Sequence, residues 1–293
     1  MGSLRVGRHT VQISSEEKVL FPKSRISKGD LIAYYRAIAP TIIPYLRNRP
    51  LVMNRYPTGI AAGGFVQQAA SDYFPEWVPR ASVEKENGKI THVLCNNAAT
   101  LVYLVNQNMV TPHVWLSRVD RPRMPDQIVF DLDPSGKDFD VVRGAAHAIG
   151  AMLKQDGLEP YVMTTGSSGL HVRAAIRRAR DYDEVRAYAR RLAADLAERH
   201  ANELTIEQRK DKRRGRVYLD TGRNAYAQTA VVPYAVRARE GAPVAVPLTW
   251  EELDEADMSP RRFTIHDVPA RIEARGDPMR DMLRGARPAT PPT

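Results

Sequence analysis

The 293 residues, 43% of them hydrophobic, are enough for one large domain or two ordinary ones. Lys and Arg outnumber Asp and Glu by 43 to 34, giving a formal net charge of +9, so an anionic partner is expected, nucleic acid first. A single cysteine, Cys95, excludes an internal disulfide and a cysteine-based zinc site; no apolar run reaches the roughly 18–20 residues that span a bilayer, and the first residues lack a secretory h-region. A cytosolic protein with no membrane partner is the expectation.

In chain order, "HTVQIS" predicts a strand, and Ser14 and Glu17 then stand at capping-box spacing, with Pro22 leaving room for only a short turn. Ser27 is expected to N-cap a helix through "KGDLIAYYRAIAPTIIPYL", with Leu31, Tyr34, Tyr35 and Ile38 at helical spacing. A strand at "PLVMNRYP", a Gly-rich turn, a helix at "AATLVYLVNQ" and a strand at "HVWLSRV" follow. The centre reads as a strand "QIVFDLDP", a helix "DVVRGAAHAIGAMLKQDG", and two strands around a glycine turn in "PYVMTTGSSGLHVRAAI". "DEVRAYARRLAADLAERHA" is an amphipathic helix with Val185, Tyr188, Leu192 and Leu196 inward. Strands are expected at "RVYLDTG" and "QTAVVPYAVRA", and Thr249 and Glu252 form another capping box. Helices and strands interleave without regular alternation, which predicts an α+β fold of mixed or antiparallel sheets flanked by helices. One domain, 1–282, is expected, with a disordered Pro-rich tail at 283–293.

"FDLDP" carries the first chemical signal. Side chains alternate along a strand, so Asp131 and Asp133 share a face while Phe130 and Leu132 take the other. One D-x-D is weak alone, because such pairs also occur in turns. Asp220 ends another hydrophobic strand, "RVYLD"; if the two strands are neighbours, three carboxylates converge, a donor set suited to magnesium or manganese. A turn aspartate before Thr221-Gly222 is the plainer reading of Asp220.

"MTTGSSGLHVR" offers Gly166 and Gly169 for a tight loop, with the hydroxyls and N–H groups of Ser167 and Ser168 as a phosphate nest and His171 on the returning strand. The plain alternative is a hairpin with a core histidine. It is not a Walker A loop, since Gly-Lys-Ser/Thr is missing. "RKDKRRGR", residues 209–216, places six cations and one acid before the Asp220 strand, and Lys18, Lys23, Arg25 and Lys28 surround the first helix start. Phe65 and Trp115 are candidates for base stacking or for the core.

Taken in order, "FDLDP", "TTGSSGLH" and "VYLD" resemble the three motifs of the archaeo-eukaryotic primase superfamily, and within it the polymerase domain of bacterial ligase D, the end-joining enzyme. The resemblance runs from "EEKVLFP" to "PLTWEEL". A stand-alone polymerase or an excised domain is expected, not a ligase. The resemblance implies a primase-polymerase-like core: a template-dependent nucleotidyltransferase that adds NTPs, and less readily dNTPs, to DNA primers at gaps and broken ends carrying a 5′-phosphate. By motif position, Asp131, Asp133 and Asp220 hold two divalent ions, Mn2+ or Mg2+. His113, Thr165, Ser167, Ser168, His171 and Arg237 contact the incoming nucleotide. Lys18 and Lys28 grip the 5′-phosphate beside Ser15; Phe65 stacks on template and Arg213 belongs to the DNA-binding stretch. A separate DNA ligase and Ku are the implied partners, in a cytoplasmic, nucleoid-associated setting.

Four positions depart from the family pattern. The loop starts with Thr165 instead of serine and has Ser168 where a lysine is usual; "GGFVQQ" keeps one aromatic, Phe65, where two phenylalanines are common; and Ser15 stands in for an asparagine. Two rival readings compete with the polymerase. A D-x-D glycosyltransferase would use Asp131 and Asp133 but leaves the basic run and Asp220 unexplained. A non-catalytic 5′-phosphate DNA-end binding module would bind DNA with no incorporation under any metal.

Overall fold

Strand Gln127–Asp133 is buried on both faces up to Asp131 and Leu132, and only Asp133 at its end is partly open. Its fully buried Ile128, Val129, Phe130 and Leu132 each contribute roughly 1.5–3 kcal/mol relative to exposure, so the strand anchors the sheet built around it. In this computed structural model residues 2–85, 88–136, 139–283 and 291 are described. Two compact units make up the chain, and each is formed from three segments. The first comprises Met1–Asp120, Val231–Ala245 and Phe263–Gly276; the second comprises Arg121–Ala230, Val246–Arg262 and Asp277–Thr293.

In the second unit the sheet order is Leu204–Thr205, Val217–Asp220, Gln127–Asp133, Leu170–Ala175, Pro160–Thr164, Pro247–Leu248. Neighbours are antiparallel except the first pair, which is parallel. Helices Phe139–Gln155 and Tyr182–Arg199 pack on this sheet. The second has the expected inward set, Val185, Tyr188, Leu192 and Leu196, all buried. It starts at a capping box the sequence pattern did not single out: Glu184 N donates to Asp181 Oδ1 at 2.9 Å and Asp181 N to Glu184 Oε2 at 3.0 Å.

In the first unit the order is Met109–Trp115, Leu51–Arg55, Gly88–Val93, Arg80–Lys85, with Phe65–Gln67 also paired to Leu51–Arg55. Ser27 caps Lys28–Ala37 as expected, accepting from Asp30 N at 3.1 Å. The predicted single helix through residue 46 is broken at Ile38, and Ala39–Leu46 is separate. Pro40 has no N–H for the Arg36 carbonyl, and its ring would clash there. Ser14 and Glu17 cap no helix; the segment is a turn with Ser15 at φ +50°. The "HVWLSRV" strand lies earlier, at Met109–Trp115, and "QTAVVPYAVRA" keeps strand form only at Thr229–Val231 before Tyr234 turns at φ +68°. Trp115 is a core residue, 3% exposed and edge-on to His92, so it stacks on no base.

Among the described residues no helix is long and apolar enough to cross a membrane. The predicted tail lies outside the described residues apart from Leu283, which ends helix Arg280–Leu283, and Pro291, whose carbonyl accepts from Arg180 Nε at 3.1 Å.

Candidate active site

Register decides which acids meet. Asp131 pairs with Asp220 on one side and with His171 on the other, and Asp133 pairs with Tyr218. Directly opposed residues of an antiparallel pair share a face, so the three carboxylates and His171 lie together. Oxygens of Asp131, Asp133 and Asp220 fall within 4.8 Å of one another. Hard oxygen donors at this spacing fit a divalent cation, which would relieve the repulsion between them.

Protein cations already lean on Asp131. His171 Nε2 is 3.4 Å from its Oδ1, and Arg223 Nε is 3.2 Å from its Oδ2. Arg173, 1% exposed, puts Nη2 3.2 Å from His171 Nδ1. An arginine only donates, so Nδ1 is the acceptor and the ring proton of the neutral imidazole sits on Nε2, facing Asp131. Asn224 fixes the turn that carries Arg223. Its amide donates to Val129 O at 2.6 Å and accepts from Val129 N at 2.9 Å, supplying backbone-like pairing where strand Val217–Asp220 has ended. Asp220 is held from its own turn, accepting from Gly222 N at 2.7 Å and from the Tyr218 hydroxyl at 3.3 Å.

The electrostatics separate the two acids of the D-x-D pair. Burial would raise the Asp131 carboxyl, but His171 and Arg223 overcome it and hold the group well below the usual carboxylate range. Among the described residues none forms an ion pair with Asp133: burial, then the charges of Asp131 and Asp220, push it up to about 6 against a smaller pull from Arg213 and Arg223. Burial lowers His171 against the pull of Asp131. Because Asp133 holds its proton more tightly folded than unfolded, where it titrates near ~4, its contribution is fully present below pH ~4 and lost as pH rises through about 6. That difference corresponds to nearly 3 kcal/mol, and about 2 kcal/mol after solvent screening of a partly open group. Asp133→Asn is therefore expected to raise the stability of the metal-free protein at neutral pH by about 2 kcal/mol. Urea unfolding in chelator at several pH values checks this; an unchanged difference between wild type and variant across the acid range would refute it.

The loop between Pro160–Thr164 and Leu170–Ala175 is organised from inside. Thr165 Oγ1 donates to Gly169 O at 3.0 Å and accepts from the N–H groups of Gly169 at 3.2 Å and Ser167 at 3.3 Å. Those N–H groups thus serve Thr165, not an open nest. Gly166 takes φ +63°, Ser168 is exposed, and Arg261 Nε donates to Ser167 O at 2.6 Å. Arg213 does not stand free either: it donates to Glu207 O at 3.1 Å and Gln208 O at 3.0 Å, and its guanidinium covers the Tyr218 ring at 4.1 Å.

The remaining sequence candidates belong to the first unit. His113 lies in Met109–Trp115 opposite Val52, and Arg237 N donates to Pro243 O at 2.8 Å. The pairing of Val19 with Ser27 brings Lys18 and Lys28 side by side, Lys28 N donating to Lys18 O at 2.8 Å. Lys28, 1% exposed, directs Nζ at Ser14 Oγ (3.4 Å) and Asn106 O (3.3 Å); Lys18 Nζ reaches Pro57 O (3.0 Å) and Asn108 Oδ1 (3.4 Å). Burial, then Lys18, lowers the Lys28 ammonium. Among the described residues no carboxylate comes within ion-pair distance of Lys28. Ser15 is exposed beside this pair, and Phe65 is 48% exposed with Arg55 over its ring at 5.4 Å.

A family model described as "LigD, primase-polymerase domain" matches residues 27–279. The chain belongs to the LigD primase-polymerase domain family. It is, by that membership, a nucleotidyltransferase domain. It is 30% identical over 91% of its length to the multifunctional non-homologous end joining protein LigD of Mycolicibacterium smegmatis, and 30% identical over 94% to the bifunctional LigD of Bacillus subtilis. The chain spans 35% and 44% of the length of those relatives. The polymerase domain of Mycobacterium tuberculosis ligase D, solved in complex with DNA, matches with a TM-score of 0.89 at 28% identity, covering 94% of this chain and 98% of that one. Around its acids this LigD-family domain carries residues the motifs did not mark: Arg173, Tyr218, Arg223 and Asn224. Asn106 and Asn108 do the same at the lysines. Arg173 and Tyr218 share a strand face with His171 and Asp220 by alternation, and Arg223 and Asn224 follow Asp220 in the same turn.

Proposed function

We propose that residues 1–282 act as one template-dependent DNA primase-polymerase domain. It adds NTPs, and less readily dNTPs, to primers at gaps and broken ends during end joining or gap repair. The observation that carries the reading is the convergence of Asp131, Asp133 and Asp220 on one sheet face. Those carboxylates would hold two divalent ions, Mn2+ or Mg2+, which when bound lower the pKa of a primer 3′-hydroxyl and offset charge on the phosphates. The chain's own groups do the positioning. His171 presents a proton at Nε2, because Arg173 occupies Nδ1, and Arg223 keeps a guanidinium beside Asp131. Thr165 shapes the loop that offers Ser167 and Ser168 to the nucleotide, and His113 and Arg237 keep the nucleotide-binding roles the family resemblance implies. Phe65 and Arg213 face template and DNA in the same reading. The setting is the cytoplasm at the nucleoid, with a DNA ligase and Ku as partners.

The test is extension of a primer across a short gap, with Mn2+ or Mg2+ and either NTPs or dNTPs. Templated addition supports the proposal. Tight DNA binding with no addition under either metal would leave the end-binding module.

Lys18 and Lys28 take the downstream 5′-phosphate, with Ser15 at the rim. A buried ammonium beside a second one is costly without an anion, and a phosphate supplies it. Lys28→Gln is expected to cut the preference for phosphorylated over unphosphorylated downstream ends about tenfold, the size of one charge-assisted hydrogen bond. Its fold should hold, since the change removes a charge that burial and Lys18 disfavour. Binding measured on the paired substrates decides; an unaltered preference rules the lysine out.

A further inference from the structure

The edge of the catalytic sheet leaves a gap. Strand Leu204–Thr205 runs parallel to Val217–Asp220 for two residue pairs, Leu204 with Val217 and Thr205 with Tyr218, and then the chain peels away as Ile206–Gln208. Arg213 pins the departing segment by donating to the carbonyls of Glu207 and Gln208. Between this segment, the end of the Asp220 strand and helix Tyr182–Arg199 lies a cavity of about 260 Å³. Leu219 and Tyr218 both line it; by strand alternation Leu219 points away from the face that carries Asp220 and Tyr218 shares that face, so the cavity lies at the sheet edge.

Its chemistry is two-sided. Arg186, Arg190 and Arg191 form one wall, and no lining residue is acidic. Arg186 and Arg190 are one helical turn apart and therefore adjacent on the helix surface. Arg186 Nε is buried with no hydrogen-bond partner, and among the described residues none of the three arginines forms an ion pair. Arg191 lies over the Tyr188 ring at 5.4 Å. Opposite, Ile206, 51% exposed, and Leu219 give an apolar floor. A buried guanidinium donor without a partner calls for an acceptor, and a planar fork matches phosphate oxygens. The volume exceeds what a lone phosphate fills, and the apolar floor suits the flat face of a base.

We propose that this cavity is a second binding site, for one nucleotide unit, with its phosphate on Arg186 and Arg190 and its base on Ile206 and Leu219. The unit comes from a single-stranded segment of nucleic acid or from a free mononucleotide. The proposal goes beyond the polymerase reading, and its readout is binding, so it stands or falls independently of extension.

The experiment measures binding of the full chain to a labelled oligothymidylate, a blunt duplex of the same length and dTMP, across a salt series. It compares wild type with Arg186→Gln/Arg190→Gln, Arg190→Gln alone and Ile206→Ser. The double variant is expected to bind the oligothymidylate about tenfold more weakly, with a log–log salt slope shallower by about 0.7, the value for one phosphate contact on a single strand. Ile206→Ser is expected to weaken it about fivefold with the slope unchanged, since only apolar contact is lost. Loss for the oligothymidylate with dTMP unaffected assigns the unit to a strand; loss of dTMP binding assigns it to a free nucleotide. Equal losses for blunt duplex and oligothymidylate would overturn the site in favour of general backbone attraction. Unchanged binding of all three probes would overturn it outright. Arg190 is exposed, so its single substitution gives a folded protein that decides the question even where the double variant does not fold.

Discussion

Asp131→Asn will lose gap extension by on the order of 10³-fold while still binding DNA, because several kcal/mol of charge stabilisation on the reacting phosphates depend on that carboxylate. Asparagine is the informative replacement. It keeps the shape and one acceptor for the proton on His171 Nε2, and it removes a charge that burial disfavours. Arg223 then loses its partner, but its side chain is 39% exposed and can turn to water, so the fold should survive. Alanine is a harsher probe, since it removes the carboxylate that faces the Nε2 proton of the buried His171. Removing a negative charge next to nucleic acid should tighten DNA binding slightly. Single-turnover extension beside an anisotropy titration separates the two quantities. Wild-type extension by the Asn variant would remove Asp131 from the metal site, and parallel loss of extension and DNA binding would point to damage of the fold.

Much of this site can be read from local pattern. The alternation in "FDLDP" puts Asp131 and Asp133 on one face, and the sheet bears that out, since their carboxylates meet that of Asp220. The helix with Val185, Tyr188, Leu192 and Leu196 inward is equally local. What decides the chemistry is non-local. That Asp220 sits directly across from Asp131 depends on strand order, which no spacing encodes over the intervening residues. The part played by Asn224 depends on a carbonyl and an N–H of Val129 left unpaired where another strand stops. Lys28 reads as a phosphate-gripping lysine at a helix start, yet its burial comes from packing against Asn106, far along the chain. Proline misled where two factors compete: the apolar periodicity of residues 28–46 is continuous, but Pro40 cannot donate and the helix parts at Ile38. Trp115 shows the reverse, an aromatic with binding potential that the core absorbs.

Gly169→Ala will combine a stability loss of about 3 kcal/mol or more with loss of extension in whatever fraction remains folded. The position needs glycine for space, not for an unusual backbone angle. A Cβ there would fall 1.9 Å from the carbonyl oxygen of Leu132 and 3.0 Å from its carbon, and both belong to backbone that cannot rotate aside. Leu132 pairs with Leu170, so relief requires the two central strands to part at the level of the carboxylates. The neighbouring pair in that ladder is Asp131 with His171, and a shift of about 1 Å at reacting groups costs roughly 100-fold in rate. The same displacement breaks the bonds from Thr165 to Gly169 that shape the loop. Gly144→Ala is the matched control: it lies inside helix Phe139–Gln155 with nothing within 4 Å of the added carbon. Higher helix propensity should stabilise that variant by up to about 1 kcal/mol. Denaturant unfolding and gap extension on both variants test the contrast. A Gly169→Ala protein as stable and as active as wild type would mean that the loop does not lie against Leu132, and the positioning of His171 beside Asp131 would need another cause.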